Sequence, residues 1–336
     1  MSFKGIIKGN ELSGVLLMGK EPAEVKGFKT NETKIDYKFL YPKMMEVTEN
    51  NIFSKDVLQT KEWKKFQTDF EKLCNNAVDD LELYIGFSVL SPKLPFSHYY
   101  FIMKNDEETE EEIAKDPDVI FEEKTPETAY MKIKNLSTSE KEILEVFPKI
   151  IAKNYKNLIV DLRGNGGGGL EAAFAFGKYV MKETTDVGYF VTNKFQFSSF
   201  DKNLFDTLPI TNAKITEDFI EELKNGKGER LVVQKLENSI FSGKIYILTD
   251  KHTGSTCEPL VYVMKNKGWA TIVGENTAGA MLSGTIFDIS GKYKLFLPIA
   301  DFYTYDGVRL EKLGVAPNIA TKPEDALTKT LELIGK

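Results

Sequence analysis

Asn157-Leu-Ile-Val-Asp-Leu-Arg-Gly-Asn-Gly-Gly-Gly-Gly169 runs from an apolar strand into four consecutive glycines, and Leu170 to Lys182 then carries apolar residues at helical spacing. Glycine has no Cβ and adopts positive φ readily, so this loop can bring bare backbone N–H groups against an anion or an oxyanion. No lysine follows at the position a phosphate-binding P-loop requires.

Working outward, Ala129-Tyr-Met-Lys-Ile133 reads as a strand, Ser139 to Lys153 as an amphipathic helix, and Leu158 to Leu162 as a buried strand. Residues 187 to 200 alternate like a surface hairpin, and Thr216 to Asn225 form a helix stopped by Gly226. Lys244-Ile-Tyr-Ile-Leu-Thr249 is another buried strand, followed by Thr253-Gly-Ser255 and a helix to Lys267. Alternating β and α segments rich in Ile, Leu and Val predict an α/β fold with a parallel or mixed sheet under helices, and active sites of such sheets lie at the strand ends.

Upstream, residues 1 to 55 read as a few small strands, including Lys34 to Leu40. Trp63, Phe66, Phe70 and Leu73 mark one face of a helix, and their aromatic character is that of core packing. Leu81 to Tyr100 reads as strand broken by Pro92 and Pro95, and the acidic run Asp106 to Glu112 as a solvated segment without the oxygen-ligand pattern of a calcium loop. A boundary near Pro126 divides the chain into a smaller α+β domain, residues 1–125, and a core, residues 126–336.

The whole composition, 336 residues with 42% apolar and 28% charged, is that of a globular chain with a sizeable core. A net charge of −6 and a pI near 5.4 argue against nucleic acid as a partner. No apolar stretch is long enough to span a membrane. The N-terminus lacks a signal-peptide pattern, which fits a cytoplasmic protein or an exported one whose signal has been removed. Two cysteines, Cys74 and Cys257, and two histidines, His98 and His252, leave no metal framework, so neither a metal nor another cofactor is expected.

Two strand-to-helix corners stand out: the glycine loop, and Thr253-Gly-Ser255. Ser255 has two readings. Its Oγ can cap the helix, with Glu258 completing a capping box, or it can be a nucleophile whose oxyanion meets the Thr256 N–H and the glycine loop.

Four segments decide between them: Asn157 to Gly168, Thr249 to Glu258 (TDKHTGSTCE), Thr271 to Gly279 (TIVGENTAG) and Gly307 to Ile319 (GVRLEKLGVAPNI). In order and spacing they resemble the C-terminal processing peptidase and tricorn protease superfamily of serine peptidases, over about residues 129 to 333. The resemblance implies a crotonase/ClpP-like ββα core, Ser255 as nucleophile, and an oxyanion hole from Thr256 and the loop at Gly166 and Gly167. Processing peptidases place a lysine base where this chain has Ala280, and carry a peptide-binding PDZ module of which nothing upstream shows the carboxylate loop. The tricorn branch instead pairs an upstream Ser-His with a glutamate near a Gly-Val-x-Pro motif. Ser97-His98 and Glu311, before Gly314-Val-Ala-Pro317, match that pattern. Asn318 departs from it, standing where an aspartate is common.

On that resemblance His98 is the base, Ser97 orients it, and Glu311 positions water or polarises the site. His252 reads as an exposed turn histidine, Cys257 as a small buried residue, and Asp161 and Arg163 as a lock on the glycine loop. The expected function is peptide-bond hydrolysis through an acyl-enzyme, with a peptide or unfolded protein as substrate. Assembly into a homo-oligomer is a further expectation, since relatives by resemblance often assemble. Two alternatives stay open: a hydrophobic-ligand binder like the interphotoreceptor retinoid-binding proteins, given 23 Phe and 14 Tyr, or a crotonase-type acyl-CoA enzyme.

Overall fold

The computed structural model describes residues 2–18, 21–29, 35–103, 117–211, 215–237 and 240–335. The acidic run Asp106 to Glu112 falls outside them. In chain order the elements are β1 (Ser2–Lys8), β2 (Glu11–Met18), β3 (Glu21–Phe28), α1 (Leu40–Asn51), α2 (Lys61–Asn76), α3 (Asp80–Leu90), β4 (Tyr100–Met103), β5 (Val119–Thr125), β6 (Thr128–Ile133), α4 (Glu140–Ala152), β7 (Asn157–Asp161), α5 (Leu170–Val180) and β8 (Thr185–Thr192). There follow α6 (Lys202–Phe205), β9 (Ile210–Thr211), α7 (Thr216–Asn225), β10 (Gly228–Val233), β11 (Lys244–Thr249), α8 (Cys257–Asn266), β12 (Ala270–Gly274), β13 (Ser283–Ser290), β14 (Tyr293–Thr304), β15 (Ile319–Ala320) and α9 (Ala326–Ile334).

The α/β class and mixed sheets expected from the sequence are those observed. One sheet runs β15-β12-β11-β7-β6-β5, parallel from β15 to β6 and closed by antiparallel β5. Every residue of β7 is buried; Leu158, Ile159 and Val160 form its apolar centre, and Asp161 at its end is buried with hydrogen-bond partners. A second sheet, β13-β14-β8-β10-β9, has β4 added on β14. The largest core cluster fills the space among these sheets, α4, α5 and α8. A third, separate sheet is the antiparallel meander β1-β2-β3.

Helices α1 to α3 pack their buried faces, aliphatic in α1 and largely aromatic in α2, in one cluster with Leu282, Leu295 and Leu297 of the 282–297 segment. In α2, Thr60 accepts from Trp63 N–H at 3.2 Å and caps the helix, while Trp63, Phe66, Phe70 and Cys74 turn inward. This layer brings residues 94–101 across the second sheet, and β4 pairs with β14 there.

Three readings of the sequence are corrected. Leu81 to Leu90 is helix α3, not strand: Asp79 caps it by accepting from Glu82 N–H at 2.8 Å, and Leu83 and Phe87, four apart, form its buried face. Lys34 to Leu40 contains no strand among its described residues, and the segment from Leu40 is helix α1. Residues 187–200 form no surface hairpin: up to Thr192 they belong to β8, and 193–200 contain no strand. β8 lies between β14 and β10 with both faces covered, so its alternation marks two packed faces rather than one wet one.

Candidate active site

The two corners singled out in the sequence lie side by side at the C-terminal ends of the parallel strands β7 and β11. Hydrogen bonds bind them into one unit. Gly164 N–H donates to Asp250 Oδ1 at 3.1 Å, Gly254 N–H to Asn165 O at 3.0 Å, Thr253 Oγ1 to Leu162 O at 2.8 Å and Thr256 Oγ1 to Gly168 O at 2.7 Å. Buried Asp161, held by Arg163 and by Tyr130 O–H at 2.7 Å, anchors the start of the loop as a local lock.

Ser255 tops the turn before α8 with φ +51°, a left-handed conformation that L-residues adopt at a cost and that clusters at functional sites. Its Oγ makes no hydrogen bond among the described residues. The capping reading is half realised: Glu258 Oε2 accepts from Ser255 N–H at 3.1 Å, as in a capping box, but no side chain caps α8. Gly167, φ +101°, passes so close that a Cβ there would lie 2.6 Å from Ser255 Cβ, so only glycine fits. The Gly167 N–H is occupied by Asn165 Oδ1 at 2.9 Å. Gly166 faces open space, and among the described residues neither its N–H nor that of Thr256 has a partner within the protein.

His98 reaches the same place from the other layer. It lines, with Gly166, Gly167, Ser255 and Thr256, a cavity of about 410 Å³. Its φ is +60°, which histidine tolerates better than most residues. Ser97 Oγ lies 2.6 Å from His98 Nδ1 and 3.0 Å from Glu311 Oε2, and Glu311 also accepts from Ser97 N–H at 2.7 Å and Met281 N–H at 2.8 Å. A hydroxyl carries one proton and a carboxylate only accepts. Ser97 therefore donates to Glu311 and accepts from His98 Nδ1–H, which leaves His98 Nε2 unprotonated. Glu311, 2% exposed, thus stands behind Ser97 rather than on the surface.

Burial pushes the His98 imidazole down to about 4, and the positive charge of Lys312 acts in the same direction. His98 is accordingly neutral at neutral pH, the form a base needs. The acid limb of kcat/KM for any hydrolysis at this site is expected well below the ordinary histidine value. Activity is present above that pKa and lost as pH falls through it. Lys312→Asn, chosen because asparagine tolerates the φ of +62° there, should move the limb to higher pH. A limb that stays in place in the pH–rate profile would detach Lys312 from the base.

Sequence reasoning missed the role of Glu258. Wholly buried, its carboxylate accepts from Ser255 N–H, Thr277 Oγ1 at 2.6 Å, Gly279 N–H at 2.8 Å and Ala280 N–H at 2.8 Å. Burial raises its pKa, and these donors pull it back. The next amide, Met281, donates to Glu311, so one tripeptide, 279–281, ties the serine corner to the Ser-His-Glu relay. Glu258→Gln places an amide donor against donors, and a misplacement of about 1 Å costs about 10²-fold in rate. A fall of that order in kcat with KM little changed is expected by steady-state kinetics, and unaltered kcat would remove Glu258 from the positioning scheme.

The remaining candidates stay outside. His252 is exposed and does not line the cavity. Cys257 is fully buried and burial pushes its thiol up, so it is no nucleophile. Lys265 donates to Ala316 O and Lys267 to Glu183, so neither serves Ser255. A larger hollow of about 600 Å³, lined by Lys156, Lys182, Lys244 and Trp269, lies at the opposite, N-terminal ends of β7 and β11 and holds no histidine.

The sequence model of peptidase family S41 matches residues 127–321. The chloroplastic C-terminal processing peptidase of Tetradesmus obliquus is 25% identical over 181 residues, 54% of this chain and 32% of that protein. The carboxy-terminal processing protease CtpA of Bacillus subtilis (strain 168) is 23% identical over 188 residues, 56% of this chain and 33% of that protein. The match thus spans about a third of the length of each of these relatives. Among solved structures, the tricorn protease aligns over 98% of this chain and 40% of its own, with a TM-score of 0.54 and 13% identity. With the family model covering more than half of its residues, the chain belongs to peptidase family S41.

Proposed function

We propose that this chain is a serine peptidase that cleaves peptide bonds through an acyl-enzyme on Ser255, with His98 as general base. The observation that carries this is the hydrogen-bonded relay Glu311–Ser97–His98 ending at the cavity that holds Ser255. Ser255 Oγ attacks the substrate carbonyl carbon and passes its proton to His98 Nε2. The oxyanion is received by the Gly166 and Thr256 amides, while Gly167 gives Ser255 its room. Collapse breaks the C–N bond, and His98 returns the proton to the departing amine. Water, deprotonated by the same Nε2, then attacks the ester and frees Ser255. Ser97 accepts from the imidazolium as it forms, and Glu311 stabilises that charge through the Ser97 hydroxyl.

Under this reading residues 1–125 supply the base and the core, 126–336, the nucleophile. The substrate is a peptide or unfolded segment, and assembly into a homo-oligomer is compatible with it. A pure ligand-binding role needs no relay behind a histidine. A CoA ester would want cationic side chains, and the described lining of the cavity has neither lysine nor arginine. Treatment with a fluorophosphonate followed by peptide mapping tests the proposal: modification at Ser255 is expected, and an unmodified Ser255 overturns it.

A further inference from the structure

Two uncharged apolar surfaces of this chain stand open to solvent. The first is one face of the β1-β2-β3 meander. In its register Phe3, Ile7, Leu12, Leu16, Ala23 and Val25 share that face with three glycines, and none of these positions carries a charge. Lys4, Lys8, Glu11, Glu24 and Lys26 take the opposite face. Phe3 is 45% exposed and Ile7 74%, and no meander residue belongs to the hydrophobic clusters of the described residues. A sheet buries its apolar face against a second layer, and here that layer has to come from outside the single chain.

The second surface is the outer side of α3. Leu81, Tyr84, Ile85 and Val89 recur at spacings of three and four and form one stripe, opposite the buried Leu83 and Phe87. Leu81 is 64% exposed and Val89 56%. After Glu82 the helix carries no charge, although a helix that keeps one side in water is polar on that side, and one that is apolar all round is covered. The chain leading from the meander enters the body beside this stripe: Ile35 N–H donates to Val78 O at 3.3 Å, one residue before the Asp79 cap. Even so, both surfaces remain exposed in the single chain.

We infer that the meander of one chain covers α3 of a second copy, whose own meander covers α3 of the first, in a two-fold dimer. Because each meander is tethered beside its own α3, docking one pair brings the other pair together, and the assembly closes. Neither surface presents a charge, so the seam leaves none buried and unpaired. Area favours this exchange over meander packed on meander. Helix length and strand spacing give each contact roughly 20 Å by about 14 Å on either side, so two contacts remove about 1,100 Å² from water. That clears the roughly 1,000 Å² a specific interface needs, whereas a single contact supplies only about half of it. The inference is independent of the peptidase reading.

Sedimentation equilibrium of the full chain at micromolar concentration tests it, and a mass of twice 38.0 kDa is expected. Ile7→Glu places a carboxylate on the apolar face of the meander, and Leu81→Lys an ammonium on the α3 stripe. Both positions are exposed in the single chain, so circular dichroism and the thermal midpoint should change little. Each substitution enters both symmetric contacts and should raise the dimer dissociation constant at least about 100-fold, leaving monomer. An equimolar mixture of the two variants retains one unaltered contact and sets opposite charges in the other, so dimer should form where neither variant alone forms it. If Ile7→Glu disturbs the meander itself, Leu81→Lys decides. A monomeric unmodified protein overturns the inference, leaving the meander to its own chain or to a partner of another kind. A dimer whose mass Leu81→Lys does not change, or a mixture that stays monomeric, overturns it by placing the interface elsewhere.

Discussion

Ser255→Ala is expected to abolish peptide hydrolysis, with a fall in kcat of about 10⁴- to 10⁶-fold, the range seen when a nucleophile that works as part of a relay is removed. The substitution is structurally mild. Ser255 Oγ has no hydrogen-bond partner among the described residues, and the N–H that holds the turn, bonded to Ala280 O at 3.1 Å and to Glu258, is untouched. Alanine bears the φ of +51° no worse than serine does, so the thermal unfolding midpoint should move little. Covalent labelling should vanish together with activity. Retained hydrolysis in a folded Ser255→Ala protein would place the chemistry elsewhere.

Glu311→Gln is expected to reduce kcat by about 10³- to 10⁴-fold, as when the carboxylate behind a catalytic histidine is made neutral. Glu311 now takes three donors: Ser97 N–H, Ser97 O–H and Met281 N–H. A glutamine turns one acceptor into a donor. Facing Ser97, that amide would donate to Oγ and reverse the relay, so that the Ser97 hydroxyl donates to His98 Nδ1 and Nε2 carries the proton. The base would then hold the wrong tautomer. Because the relay acts as a unit, Glu311→Gln and His98→Ala together should cost about as much as His98→Ala alone. Additive losses in that double-mutant comparison would show that Glu311 acts by another route.

The parts of the proposed site differ in how much of them could be read from the chain. The strand ending at Asp161 and the helix from Leu170 announce themselves by composition, because the centre of a strand buried on both faces is filled by Leu158, Ile159 and Val160. Ser255 stood at a strand-to-helix corner where a cap and a nucleophile both fit, and it was the family resemblance, not the local pattern, that pointed to it and to His98. Helix α3 was misread because its run of Leu, Tyr, Ile, Phe and Val suits a strand, whereas the Asp79 cap and one buried face made it a helix. Glu311, flanked closely by Arg309 and Lys312, was placed in the site only by the family resemblance. Glu258 reads as a helix cap. Both are buried carboxylates, and no local pattern tells a buried glutamate from an exposed one.

The sequence by itself determined an α/β chain with a parallel or mixed sheet, the glycine loop, the serine corner and the absence of a lysine at position 280. Each depends on local backbone geometry or on residue identity, and both are local properties. Only the tertiary structure decided which groups meet. Ser97 and Glu311 lie 214 positions apart and touch because β4 pairs with β14, while the 279–281 amides bridge two carboxylates that belong to different elements. The tautomer of His98 follows from those long-range contacts, because Glu311 fixes which way the Ser97 hydroxyl points. A hydrogen bond or a closed wall is made by partners that the chain order does not bring together.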